Sequence, residues 1–175
     1  MTPGPETLIP AAVIAIPALL ALAYGRGEGR TAHLHRRNRR KAGKAIRRLN
    51  RGDMTPAQKM GYLRRIDPFV FEELTLTALG MNGYRPRRNR RYTGDGGADG
   101  SVRRHGRTYL VQCKRYTGYI NPSDVEEFAT LCEIRGKRGL FVHTGKTGRK
   151  SRDLARESRV RVISGDSLLA MIGDK

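Results

Sequence analysis

The pattern of hydrophobic and polar positions after residue 55 predicts a series of helices and strands. Within Pro68 to Met81, apolar residues recur at spacings of three and four, which is the period of an amphipathic helix. Asp67 directly before this segment can cap it, and Gly83 shortly after it can end it. Thr55 followed by proline predicts the same kind of start for a shorter helix, Pro56 to Arg65.

Strands are predicted where apolar residues alternate with polar ones or form short runs between turn residues. They are Tyr84 to Arg88, Ser101 to Arg104, Thr108 to Arg115, Gly139 to Thr144 and Val160 to Ile163. His105 and Gly106 predict a tight turn between the second strand and the third. Further helices are predicted at Asn121 to Ile134, Lys150 to Ser158 and Asp166 to Ile172. This order indicates an α/β domain with a mixed central β-sheet flanked by helices.

A different pattern opens the chain, where Leu8 to Tyr24 holds 17 residues without a charge. As a helix this run would span roughly 26 Å, which is short for a hydrocarbon core of about 30 Å but within the range of membrane helices. A cleaved signal peptide is an alternative because the run ends in Ala-Leu-Ala, yet the preceding residues include Glu6 and no Lys or Arg. A buried soluble helix would need polar positions at helical spacing, which the run lacks. We therefore expect an N-terminal transmembrane helix within residues 1–25.

The distribution of charge predicts an anionic partner and the orientation of the chain in the membrane. The chain has 35 Lys or Arg against 16 acidic residues, a net charge of +19, which favours an anionic partner such as nucleic acid or an anionic membrane surface. Arg26 to Arg65 alone holds 14 basic residues and two acids. Basic residues hold that end of a membrane span in the cytoplasm, so we expect a single-pass protein of the cell membrane with its remainder cytoplasmic.

The basic residues also divide the chain. We interpret residues 26–66 as a basic linker. The stretch from Gly25 to Arg51 has too few apolar residues to bury against anything and would become helical from about Ala42 when bound to a partner. The expected orientation of the membrane helix already requires these positive charges. An arm that binds DNA phosphates is the alternative interpretation. Residues 67–175 then form the folded domain. Its two cysteines, Cys113 and Cys132, are not closely spaced and indicate neither a zinc site nor a disulfide framework.

Polar side chains suited to metal binding converge at the predicted hairpin. Gln112 and Lys114 lie two residues apart on one strand, about 6.6 Å, and share a face. The turn folds this strand back on the one that begins near Asp99, so the Asp99 carboxylate can meet both side chains. Oxygen ligands of this kind hold Mg²⁺, and a lysine can stabilise negative charge that develops on a phosphate. Glu72 is the candidate second carboxylate, because helical spacing puts it beside the core-facing side and turns Glu73 further outward.

A basic surface next to these groups would suit the hydrolysis of phosphodiester bonds. The candidate DNA-binding residues are arginines that flank the predicted site, for which a solvated surface is the alternative. They are Arg87, Arg88, Arg90, Arg91 and Arg115. Asp95, in the glycine-rich segment Gly94 to Gly100, is a secondary candidate that could equally shape the loop.

Five stretches of the chain, taken in order, resemble the Mrr-type restriction endonuclease catalytic domain of the PD-(D/E)XK nuclease superfamily. They are FEELTLTALGMNGY from Phe71, TGDGGADG from Thr93, VQCKRY from Val111, GLFVHTG from Gly139 and VISGDSLLAMI from Val162. The resemblance covers about Asp67 to Ile172 and implies a restriction-endonuclease-like fold. It further implies that Asp99 binds metal, that Gln112 replaces the usual acidic ligand, that Lys114 is the catalytic lysine and that Glu72 is the helix glutamate.

This resemblance implies Mg²⁺-dependent cleavage of double-stranded DNA, with Mn²⁺ able to replace Mg²⁺; the best-known members act on modified DNA. Together with the apolar run, it leads us to expect a membrane-anchored, restriction-like endonuclease. Cutting both strands with one active site per chain would favour a homodimer. Two alternatives stay open: a DNA-binding or tethering protein that keeps the nuclease fold without cutting, and a junction-specific or repair nuclease.

Overall fold

The computed structural model of the chain describes residues 32–89 and 97–173. The run from Leu8 to Tyr24, expected to cross a membrane, lies outside these residues. None of the helices within the described ranges is both long and apolar enough for a membrane span. The chain divides into Met1–Leu34 and His35–Lys175, and the architecture below concerns the second of these units.

The described residues form helices on both faces of one five-stranded sheet. Helix α1 covers residues 32–49. The other helices are α2 (Pro56–Arg65), α3 (Pro68–Met81), α4 (Pro122–Ile134), α5 (Arg149–Glu157) and α6 (Gly165–Ile172). The strands are β1 (Arg85–Arg88), β2 (Gly100–Arg104), β3 (Arg107–Lys114), β4 (Arg138–His143) and β5 (Val160–Ile163). They lie in the order β1-β2-β3-β4-β5, antiparallel from β1 to β3 and parallel from β3 to β5, which confirms the mixed α/β class.

Local hydrogen bonds explain why α2 and α3 begin where the sequence predicts. The Thr55 hydroxyl accepts from the Gln58 N–H at 3.3 Å, and the Thr55 N–H donates to the Gln58 side chain at 2.8 Å, which makes a capping box. The Asp67 carboxylate accepts from two N–H groups in the first turn of α3, at 3.0 and 3.2 Å. Gly83, with φ at +81°, provides the left-handed residue that ends α3.

The turn between β2 and β3 sets the register on which the site depends. His105 and Gly106 have φ values of +48° and +74°, both positive as a type I′ hairpin turn requires. The resulting register pairs Gly100 with Val111. Asp99, directly before Gly100, therefore lies alongside the last residues of β3.

Each face of the sheet has its own apolar core. Helices α1, α2, α3 and α6 cover the face that carries Val102, Val111, Leu140 and Val142. Helices α4 and α5 cover the face that carries Leu110, Phe141 and Val160. Since side chains alternate along a strand, Val111 and Cys113 point towards α3, whereas Leu110, Gln112 and Lys114 point the other way, as predicted.

Helix α1 corrects the interpretation of the basic segment as a linker with nothing to bury. Ala42, Ala45, Ile46 and Leu49 are between 0% and 5% exposed and belong to the same core as Leu63. Their spacing of three, one and three residues forms one stripe on a helix. The segment is therefore helical well before Ala42 and is part of the folded domain.

Candidate active site

Asp99 is held against the end of β3 by two hydrogen bonds. Its backbone N–H donates to the Val111 carbonyl at 2.8 Å. Its carboxylate oxygen Oδ2 accepts from the Cys113 N–H at 2.6 Å. Because Cys113 lies between Gln112 and Lys114, the carboxylate lies at the part of the strand that carries both predicted partners.

Gln112 supplies a second oxygen that is suited to a cation. Its side-chain oxygen Oε1 is buried and has no hydrogen-bond partner among the described residues. A buried acceptor without a partner costs about 1–3 kcal/mol, so a bound cation at this atom would remove that cost. Oxygen donors are the ligands that Mg²⁺ prefers, so the Gln112 amide and the Asp99 carboxylate are each suited to this ion. Residues 32–89 and 97–173 contain no group of three or more His, Cys, Asp or Glu that could hold a metal ion.

Glu72 faces the same small pocket as Asp99, which Leu76 and Asn89 also line. Burial, together with the nearby carboxyl groups of Asp99, Glu73 and Asp67, raises the pKa of Glu72 from 4.5 to about 8. Burial also raises the pKa of Asp99, although the Cys113 N–H and the Lys114 charge act in the opposite direction. Two carboxyl groups with raised pKa values in one pocket indicate a place where a cation would be stabilised.

Glu73 corrects the expectation that it turns outward, because it is the more deeply buried of the two glutamates. Its side chain is 1% exposed, with Oε1 lying 2.8 Å from His35 Nδ1 and Oε2 accepting from Arg88 Nε at 2.6 Å. The physical reason is that α1, which carries His35, covers this side of α3. Glu73 therefore lies in an ion-pair cluster that borders the pocket, whereas Glu72 faces into it.

Lys114 has a partner that the sequence analysis did not single out. Its Nζ donates to Asp124 Oδ1 at 3.0 Å, and the Tyr116 hydroxyl donates to Asp124 Oδ2. Burial works to raise the pKa of Asp124, but the bonds from Tyr116 and Lys114 outweigh it and lower that pKa. The signal for this contact was weak: Asp124 stands in the first turn of the helix that follows β3 in the chain.

The predicted DNA-binding arginines have different surroundings. Arg87 is exposed on β1. Arg88 pairs with Glu73 instead of pointing into solvent, and Arg115 donates to the Ile66 carbonyl at 2.6 Å, just beyond the end of α2. Contact between these arginines and DNA stays a prediction. Three other predicted residues lie outside the described ranges: Arg90, Arg91 and Asp95.

Comparison with known proteins identifies the domain. The model of the Mrr-type restriction endonuclease catalytic domain matches residues 63–172. The solved structure of the MspJI restriction endonuclease in complex with a 27-mer oligonucleotide has the same fold, with a TM-score of 0.53 at 22% identity over 70% of this chain. This chain spans 32% of that protein's length, and no curated protein matches it. Since the family match covers more than half of the chain and spans Glu72 and Asp99, this chain belongs to the Mrr-type restriction endonuclease family.

Proposed function

We propose that this chain is a membrane-anchored, Mg²⁺-dependent endonuclease that hydrolyses phosphodiester bonds of double-stranded DNA. The observation that carries the proposal is the hydrogen bond between the Asp99 carboxylate and the backbone of β3 between Gln112 and Lys114. The buried, unpartnered oxygen of Gln112 supports metal binding at this point. Membership of the restriction endonuclease family supports the reaction class.

Asp99 and Gln112 would hold the ion, and Glu72 lines a pocket together with Asp99. When bound, Mg²⁺ polarises a phosphate oxygen and lowers the pKa of a coordinated water. Near neutral pH and without a cation, Glu72 retains its proton because its pKa is about 8. Added positive charge favours the ionised form, so Glu72 would lose that proton as the site is loaded.

Lys114 would stabilise the negative charge that develops on the phosphate. Its ammonium group is close enough to Asp99 to lower the pKa of that carboxyl group, and its side chain is 39% exposed, so it is accessible to a substrate. The ion pair with Asp124 holds Nζ at the end of β3. A cation fixed in advance near the reacting group stabilises a transition state without a cost of reorganisation.

The partners follow from charge and from the apolar run. The net charge of +19 complements DNA, and the MspJI structure is a complex with an oligonucleotide. The run from Leu8 to Tyr24 supports a single-pass anchor, with the basic residues after it placing the nuclease domain in the cytoplasm. A homodimer would supply one site for each DNA strand. Extraction of cell membranes with alkaline carbonate tests the anchor, because the chain should stay in the pellet; release into the supernatant would contradict it.

A plasmid assay tests the reaction. The full chain in neutral detergent should convert supercoiled plasmid into nicked and linear forms with Mg²⁺ or Mn²⁺ and leave it intact in EDTA. Asp99→Asn and Lys114→Ala should each slow cleavage by about 100-fold or more and retain DNA binding, because affinity comes mainly from Lys and Arg on phosphates. Glu126→Gln, an exposed position on α4, is the matched control.

Cleavage at the normal rate by either site variant would refute the assignment of the site. Binding of the plasmid without nicking in any metal would instead support the DNA-binding or tethering protein that keeps the nuclease fold without cutting.

A further inference from the structure

Helix α1 separates its residues into a buried side and a basic side. At about 100° per residue, the buried positions fall within an arc of roughly 100°. They are Asn38, Ala42, Ala45, Ile46 and Leu49. All eight Lys and Arg between residues 36 and 48 are exposed and fall within the remaining arc. The fold therefore presents these positive charges on one side of a helix whose other side is part of the core.

The charges on α1 do not serve the helix itself. No acidic residue occurs between Arg30 and Arg51, so the helix contains no partner for an internal salt bridge. Like charges four residues apart weaken a helix. Four of the eight exposed basic residues on α1 form a row along one side of the helix, which we call the α1 row: Arg36, Arg40, Lys44 and Arg47. The row spans about 16 Å, a length over which double-stranded DNA carries roughly ten phosphates.

The first turn of α1 lies beside the candidate active site, and the α1 row runs along a side of the helix that is turned away from His35. His35, directly before the row, lines the pocket that contains Glu72 and Asp99, and its Nδ1 lies 2.8 Å from Glu73 Oε1. Just beyond the other end of the helix, the Asn50 side chain donates to the Ile172 carbonyl at 3.4 Å. Contacts at both ends therefore fix the position of the row relative to the pocket.

Helix α1 precedes the part of the chain that matches the restriction endonuclease family, which begins at residue 63. We infer that α1 is a DNA-backbone clamp added to the catalytic domain, whose row binds the phosphates of the duplex that the pocket cuts. The inference rests on the proposed function for the identity of the substrate. Anionic lipid headgroups share the phosphate chemistry, but the row starts one residue after His35, which lines the catalytic pocket, and this favours DNA.

Two variants with equal loss of charge separate this surface from a general effect of net charge. The first replaces the α1 row: R36Q/R40Q/K44Q/R47Q. The second replaces four exposed basic residues at the start of β4 and around the start of β5: K137Q/R138Q/R159Q/R161Q. The register pairs Tyr109 with Arg138 and Lys114 with His143, so Arg138 lies about 17 Å along the strand direction from Lys114. Arg161 is level with Val111, about 10 Å along the strand direction from Lys114 and two strands away from β3. Glutamine keeps a helix propensity close to that of Lys and Arg, and circular dichroism checks that both variants fold.

The measurement is the binding of the full chain, in neutral detergent and EDTA, to a fluorescent 30-base-pair duplex over a series of KCl concentrations. Each phosphate contact contributes about 0.9 to the slope of log K against log salt, so the α1 variant should reduce the slope by about 3 to 4. The second variant should change it by less than about 1. Equal changes in the two variants would overturn the inference, since net charge alone would explain them.

An unchanged slope in the α1 variant would also overturn the inference. If that variant instead lost adsorption to phosphatidylserine vesicles relative to phosphatidylcholine vesicles, the surface would be a lipid-binding one. EDTA prevents cleavage, so DNA binding is measured independently of the reaction. The proposed function and the clamp can therefore fail separately. A protein that binds as expected and never cuts would contradict the proposed function alone, and one that cuts with an unchanged slope would contradict the clamp alone.

Discussion

Glu72 is a carboxyl group in a position that disfavours its charge. Burial and neighbouring carboxyl groups raise its pKa to about 8 in the folded protein, against 4.5 ordinarily. Between these two values, the folded state keeps a proton that the unfolded chain has released. The free energy of unfolding should therefore fall as the pH rises through this window.

Replacement of Glu72 by glutamine should remove this dependence. In EDTA, the melting temperature of the wild type should fall relative to that of Glu72→Gln between pH 5 and pH 8, because only the wild type must ionise a buried group. At pH 8, Mg²⁺ should raise the melting temperature of the wild type more than that of the variant. Thermal melts followed by circular dichroism measure both effects, with Glu126→Gln as the exposed control. Parallel pH curves for the wild type and Glu72→Gln would contradict the raised pKa.

Asp124 should act as a positioning residue for Lys114. Its replacement by asparagine removes the ionic partner that lies 3.0 Å from Nζ. We expect the single-turnover cleavage rate at saturating DNA to fall roughly 10- to 100-fold, as is typical of a misplaced catalytic group, with little change in DNA affinity. Tyr116→Phe should lower the cleavage rate less, because the Asp124 carboxylate is retained. Asp124→Glu should restore part of the rate that Asp124→Asn loses. A normal rate for Asp124→Asn, or a loss confined to affinity, would count against this role.

At the scale of elements, the sequence predicts those whose ends are set by neighbouring residues. The caps at Thr55 and Asp67 give α2 and α3 their observed bounds. The turn at His105 and Gly106 gives the β2–β3 hairpin, and the alternation along β3 then gives the shared face of Gln112 and Lys114. The predicted meeting of Asp99 with β3 depends on these local features, which is why it could be predicted at all.

Helix α1 was missed because its apolar stripe is weak in the sequence. Two of its four core residues are alanines, whose small side chains contribute little to a hydrophobic pattern, and eight positive charges surround them. Its burial depends on the shape of the surface formed by α2, α3 and α6, which no local pattern reveals. For the same reason the sequence could not predict the contact of His35 with Glu73, two residues that are 38 positions apart.

The core extends beyond the family domain when the whole molecule is considered. Ala42, Ala45, Ile46 and Leu49 are buried together with residues of α2, α3 and α6. Burial of a leucine or isoleucine side chain contributes about 1.5–3 kcal/mol. The total stability of a domain is about 5–15 kcal/mol, so the contribution of α1 is a large part of it.

A fragment that begins at Asp53 should therefore fold poorly, whereas one that begins at His35 should unfold cooperatively. The shorter fragment loses α1 and exposes Leu63, a residue that is fully buried in the chain. Urea unfolding followed by circular dichroism compares the two. Equal midpoints would mean that α1 adds nothing to stability. The longer fragment is accordingly the suitable one for studies of the isolated domain.

Strand β1 forms one border of the sheet, and its sequence restricts how copies of the molecule can associate. It reads Arg-Pro-Arg-Arg, with Arg85 and Arg87 exposed and with Pro86 unable to donate a backbone hydrogen bond. A strand arriving from another molecule would meet repulsion and an interrupted ladder. Two copies that cooperate in a double-strand break should consequently not meet by pairing their β1 strands, and misassembly by endless strand addition is discouraged at this border.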